Sequence, residues 1–136
     1  MRYLGLDLGR ATIGLALADD VLRTARPLRA LRRRGDEADL AALRQVVEAY
    51  EVGRVVVGLP LNMDGSQGPS ARMAQAFADR LAALGLPVQL FDERLSTFEA
   101  ESRLRERGFS SRAMRDKLDA EAAAVILQGW LDQGTP

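Results

Sequence analysis

The chain contains no cysteine and no histidine. Those two absences remove disulfides, thiol nucleophiles, serine–histidine relays and the usual zinc sites. Aromatic residues are scarce at 5%, and there is no apolar run long enough to cross a bilayer. The first residues enter a strand pattern directly, without the basic and apolar regions of a signal peptide, so a cytoplasmic protein with no membrane partner is expected. Net charge is zero, with 19 basic and 19 acidic residues, so the total gives no sign of a polyanionic partner. What remains for chemistry is Asp and Glu, whose oxygens suit hard divalent cations, Mg²⁺ or Mn²⁺. With 136 residues, 47% of them hydrophobic, and no linker, repeat or low-complexity segment, a single domain over 1–136 is expected.

The opening stretch MRYLGLDLGRATIGLALADD sets Asp7 inside an otherwise apolar strand. A buried carboxylate there costs several kcal/mol unless something pairs it. Alternation puts Leu4, Leu6 and Leu8 on one face and Tyr3, Gly5, Asp7 and Gly9 on the other. The leucine face reads as core. The Asp7 face reads as bare, with Gly5, Gly9 and Gly14 leaving room for a ligand to approach the backbone.

Periodicity orders the rest. Residues 2–8 and 12–18 form a hairpin, and 24–32 add a third strand that Pro27 confines to an edge or a bulge. Leu40, Leu43, Val47 and Tyr50 mark a helix over 36–50, with Asp36, Glu37 and Asp39 in its first turn. VVVGLPL at 55–61 is a strand covered on both faces, and a helix over 70–84 follows the loop NMDGSQGPS. PVQLFDER at 87–94 is the fifth strand. Ser96 and Glu99 have capping-box spacing for a helix stopped near Gly108. A last helix over 116–132 carries Asp119 on the same stripe as Ala122, Ala123, Ile126, Leu127, Trp130 and Leu131. The sum is an α/β protein: a mixed sheet of five strands flanked by helices.

Three acidic features are placed where packing alone does not require them: Asp7, the Asp92–Glu93 pair ending the fifth strand, and Asp119. Each has an ordinary reading as a turn acid, a polar strand end or a helix-dipole partner. Together they sit where open α/β sheets build their sites. The charge distribution adds two basic segments, 21–35 with six arginines and no acid, and 103–117 with six basic residues against two acids. Arg-rich composition accounts for them as readily as a phosphate-gripping surface does, since 18 of the 19 basic residues are Arg.

GLDLGRATIGLALAD, VVVGLPLNMDGSQGPSA, FDERLSTFEAE and KLDAEAAAVIL resemble, in order, the four signature blocks of the YqgF/RuvX family. The resemblance implies an RNase H-like fold with the first three strands antiparallel. It further implies a metal-dependent nuclease that processes the 5′ end of precursor 16S ribosomal RNA or resolves Holliday junctions. The family's acidic positions fall on Asp7, on the DER motif at Asp92, Glu93 and Arg94, and on Asp119.

Phosphodiester hydrolysis is then expected to use two ions, Mg²⁺ or Mn²⁺, with Asp7 bridging them and Glu93 and Asp119 holding one each. Within DER, alternation groups Asp92 with Val88 and Leu90, and Glu93 with Gln89 and Phe91. Glu93 is therefore the expected ligand and Asp92 the alternate. Arg10, Asn62, Arg94, Arg112 and Arg115 are the candidate substrate contacts on charge and loop position. The partner expected is structured RNA or branched DNA, and a homodimer if a symmetric junction is cut. Two other readings stay open: a catalytically weak RNA-binding ribosome-assembly factor on the same fold, and a single-lobe relative of the actin and Hsp70 ATPases.

Overall fold

In the computed structural model, residues 1–94 and 111–133 are described, with side chains in the second segment from Lys117 onward. The elements run β1 (Arg2–Leu8), β2 (Thr12–Asp19), β3 (Arg26–Arg32), α1 (Asp36–Ala49), β4 (Val52–Leu59), α2 (Pro69–Ala83), β5 (Val88–Asp92) and α3 (Ser111–Asp132). One five-stranded sheet has the order β3-β2-β1-β4-β5. β1, β2 and β3 pair antiparallel, while β4 and β5 join parallel to β1 and to one another. The helix expected from Ser96 to Gly108 lies outside the described residues.

Each local choice has a visible cause. β4 carries the consecutive buried residues Val55, Val56 and Val57 because helices cover both faces of the sheet at that point. It begins at Val52 and ends at Leu59, earlier at both ends than the apolar run suggests. β3 is an edge strand, and its register slips beside Pro27, where the missing N–H is tolerated. Gly35, at φ 114°, turns the chain into α1. Of the acids in that first turn, Asp39 is buried and accepts hydrogen bonds from the Arg33 guanidinium at 3.0 Å and the Arg34 amide at 2.9 Å. It thus pins the β3–α1 turn as well as meeting the helix dipole.

The sheet has two cores. On the leucine face, Leu4, Leu6, Ile13, Leu15, Val55 and Val57 pack against Leu43 of α1 and Phe77 and Leu81 of α2. Fully burying each such side chain contributes roughly 1.5–3 kcal/mol. On the opposite face, Tyr3, Ala16 and Val56 pack against Ala123, Ile126, Leu127 and Trp130 of α3. Tyr3 meets Trp130 edge-on, with ring centroids 5.1 Å apart.

The face carrying Asp7 is therefore not bare. A Cβ on Gly5 would lie 2.8 Å from Leu127 Cβ and 2.9 Å from the Ala123 carbonyl oxygen, and one on Gly14 would lie 1.9 Å from the Asp119 carbonyl oxygen. These two glycines seat α3 against the sheet and leave no opening for a phosphate. Sequence alternation identifies the face and is silent on what covers it.

Candidate active site

Asp7 is the only acid on β1, and its position is defined by its neighbours across the sheet. Its partner on β2 is Gly14. On β4, Gly58 follows Val57, the partner of Leu6. Each glycine admits one of the other two acids. The space a Cβ would take on Gly14 holds the Asp119 backbone, and the space beside Gly58 holds the Glu93 carboxylate, with Oε2 2.1 Å from the hypothetical Cβ. A side chain at either position would push its acid away from Asp7.

Glu93 lies just past the end of β5, where its amide still donates to the Leu59 carbonyl at 3.2 Å. Phe91, two residues earlier, packs against Gly129 of α3. Glu93 accordingly faces α3 and Asp7, on a side that is itself packed. Asp92 turns the other way. It is well exposed and accepts from Arg94, with its shortest contact at 2.6 Å from a guanidinium nitrogen. That pairing holds its carboxyl below the ordinary range, the hydrogen bonds from Arg94 being the leading cause.

Burial pushes the Asp7 carboxyl up from 3.8 to about 6, with the Asp119 charge adding to the effect. Burial also pushes Glu93 from 4.5 to about 8, assisted by the charges of Asp7 and Asp92. Burial thus favours the protonated form of Glu93, and interaction with Asp7 reinforces that direction. Its Oε2 is buried without a hydrogen-bond partner among the described residues. Asp119, half-buried on α3, accepts a short hydrogen bond from the Thr12 hydroxyl of β2. The acids meet as pairs, and among the described residues no group of three or more lies close enough together to hold a metal ion as it stands. Oxygen-only donors, mutual repulsion and an unsatisfied buried carboxylate oxygen nevertheless suit a hard divalent cation.

The other candidates separate. Arg94 is engaged twice, by Asp92 and by the Met63 carbonyl at 3.2 Å, so it ties the 60–68 loop to the end of β5. Asn62 braces the same loop by donating to Ser66 Oγ at 2.9 Å. Arg10 is exposed in the β1–β2 turn. The side chains of Arg112 and Arg115 lie outside the described residues. Sequence reasoning missed Thr12 and Gly58. A glycine interrupting the β-branched run VVVG was the available signal for the second, since such glycines mark close approach.

Comparison with known proteins adds the family. Over 133 residues, covering 97% of both chains, the sequence is 74% identical to a protein of Anaeromyxobacter sp. (strain Fw109-5) named "Putative pre-16S rRNA nuclease". A Myxococcus xanthus protein of the same name is 51% identical, matched over 100% of this chain and 91% of its own length. Among solved structures, RuvC of T. thermophilus in complex with a Holliday junction substrate superposes with TM-score 0.62 at 18% identity, over 99% of this chain and 97% of that one. The fowlpox virus resolvase bound to junction DNA gives TM-score 0.56 at 10% identity, over the whole of both chains. These likenesses identify the fold as RNase H-like. The family model described as RuvX, Holliday junction resolvase, matches residues 1–133, and by that match and these relatives the chain belongs to the RuvX family.

Proposed function

We propose that this protein is a divalent-metal-dependent endonuclease of the cytoplasm that hydrolyses phosphodiester bonds in the 5′ leader of precursor 16S ribosomal RNA. The observation that carries the reading is the pair of glycines flanking Asp7, because they bring Glu93 and the Asp119 backbone onto the same face beside it. A structural protein gains nothing by seating mutually repelling carboxylates in a half-buried position, whereas a metal-dependent hydrolase requires it.

In this reading Asp7, Glu93 and Asp119 would be the residues that hold the divalent ions, Mg²⁺ or Mn²⁺. When bound, the ions lower the pKa of a water and offset charge on the scissile phosphate and the leaving oxygen. The chain's own part is positional. Thr12 fixes the Asp119 carboxylate through its hydroxyl. Glu93, whose carboxyl burial pushes toward the protonated form, would serve as a ligand in its ionised form. Arg94, held by Asp92, anchors the 60–68 loop beside the site, and Arg10, Asn62, Arg112 and Arg115 are candidate contacts to the strand.

The family model's own description supports a second substrate, the four-way DNA junction, for which a homodimer would supply two active sites. One assay tests both. Purified protein is offered RNA carrying the 16S 5′ leader, a four-way junction and a linear duplex, each with Mg²⁺ and with Mn²⁺. Cleavage of the leader RNA above the other two supports the first reading, and preference for the junction replaces it with the second. Tight RNA binding that survives Asp7→Asn, with no cleavage under either metal, would reduce the protein to a binding factor.

A further inference from the structure

The six arginines of segment 21–35 divide into two kinds. Arg23 donates to the Leu131 carbonyl at 2.9 Å. Arg33 is enclosed by Asp36, Asp39 and the Gly9 carbonyl, with its guanidinium 5.4 Å from the Phe77 ring centroid. Those two are tied down within the fold, Arg33 half-buried and Arg23 at the surface. Arg26, Arg29, Arg32 and Arg34 are exposed and have no acidic partner among the described residues. Four uncompensated cations, three on the edge strand β3 and Arg34 just past its end, stand out in a chain of zero net charge.

Three of them, Arg29, Arg32 and Arg34, rim a groove of about 690 Å³ between β3 and α1. Its floor is mainly apolar, with Ala38, Ala42 and Ala49 along α1, Tyr50 at the end of that helix and Gln45 among them. Asp39 is the only acid in the lining, and its charge is answered by Arg33. The helical side of the groove, from residue 38 to residue 50, is about 18 Å long at the usual helical rise. That length accommodates about five phosphates at the spacing of a stacked strand. Arg32 joins the groove to the acidic centre: it lines the groove and is also the register partner of Thr12, whose hydroxyl holds Asp119.

We propose that this groove binds the single-stranded sugar-phosphate backbone flanking the scissile bond, which leaves the acidic centre past Arg32 and runs over the sheet edge between β3 and α1. The proposal rests on the nuclease reading and extends it, because it assigns a second, non-catalytic binding surface. Charge complementarity selects the occupant: exposed Arg29 and Arg34 beside a shallow, mainly apolar floor, with Arg32 at the edge toward Thr12, suit phosphates with stacked bases or sugars beneath them. An acidic protein segment at the exposed strand edge is the alternative outcome that the test below separates.

The test is fluorescence anisotropy of a labelled 12-nucleotide single-stranded RNA with the full chain in EDTA, across a salt series. Arg29→Ala/Arg34→Ala should weaken binding about tenfold and reduce the log–log salt slope by about 1.4, two contacts at about 0.7 each. The Arg29→Lys/Arg34→Lys variant should keep most of the slope. Arg44→Ala, which removes an exposed arginine outside the groove, should leave affinity unchanged. Wild-type binding that is steeply salt-dependent but indifferent to the double alanine variant would overturn the groove assignment and leave the nuclease reading standing. No RNA binding by the wild type would overturn the groove proposal, while the cleavage assay above decides the nuclease reading separately. Displacement of the RNA by polyglutamate at a lower concentration than by unlabelled RNA would reassign the groove to an acidic protein partner.

Discussion

A methyl group on Gly58 is the smallest change that should disable the proposed centre without unfolding the protein. In Gly58→Ala the new Cβ would lie 2.1 Å from Glu93 Oε2, 3.1 Å from Glu93 Cδ and 2.6 Å from Ile126 Cδ1. Ordinary contact begins near 3.4 Å, so the carboxylate must recede by more than 1 Å. Both obstructing groups are the free ends of side chains, and they can give way by rotation. The cost in stability should be about 1–2 kcal/mol of local overpacking, partly offset by the lower entropy of an unfolded alanine. For a chain of this size that is a fall in Tm of a few degrees. Displacing a ligand by about 1 Å costs on the order of a hundredfold in rate. The assay is multiple-turnover cleavage of leader RNA at saturating Mg²⁺, with melting followed by circular dichroism. Gly14→Ala provides the contrast: its Cβ would lie 1.9 Å from a backbone oxygen, so the whole helix must shift and the loss should appear first in Tm. Gly58→Ala with more than half of wild-type activity would refute the idea that this glycine seats Glu93.

Further outcomes follow from the same geometry. Glu93→Gln should eliminate cleavage without lowering Tm, whereas Asp92→Asn should stay active and lose at most about 1 kcal/mol with its exposed Arg94 partner, as urea unfolding would show. Thr12→Val should leave Asp119 without its hydroxyl donor and lower the cleavage rate at least tenfold, with the Mn²⁺ concentration for half-maximal rate raised. The pH dependence has a definite sign. Asp7 and Glu93 have folded values raised to about 6 and about 8, above their unfolded values, so the folded state holds the extra protons. The contribution of these two groups to the stability of metal-free protein should therefore be full near pH 4 and fall by a few kcal/mol, as an order of magnitude, as pH rises to about 8. Asp7→Asn should flatten that slope in urea titrations at several pH values, and an unchanged slope would mean that the two carboxyls titrate normally.

Much of this arrangement is legible in the sequence, because a charge inside an apolar pattern is conspicuous. Asp7 stands out between leucines, Asp119 opens the apolar stripe of the last helix, and alternation through Val88–Asp92 separates Asp92 from Glu93. Alternation gives a side chain its face but not what lies across from it. Gly5 and Gly14 therefore read as doors for a phosphate, whereas they are the seats of α3. The arginine cluster is opaque for a related reason: only the fold shows that Arg33 is enclosed by Asp36 and Asp39 while Arg29 and Arg34 remain on the surface. Thr12 had no signal at all, since its partner Asp119 is 107 residues away in the chain.

The most direct test of the central claim is the initial rate of leader-RNA cleavage as Mg²⁺ is titrated, measured side by side for the wild type and Asp7→Asn. Wild-type cleavage should rise from zero with the metal and saturate, while the variant, folded and at least as stable, should stay inactive at every concentration. Cleavage by Asp7→Asn above about a tenth of the wild-type rate, or wild-type cleavage that persists in EDTA, would contradict the assignment of Asp7 to the metal centre.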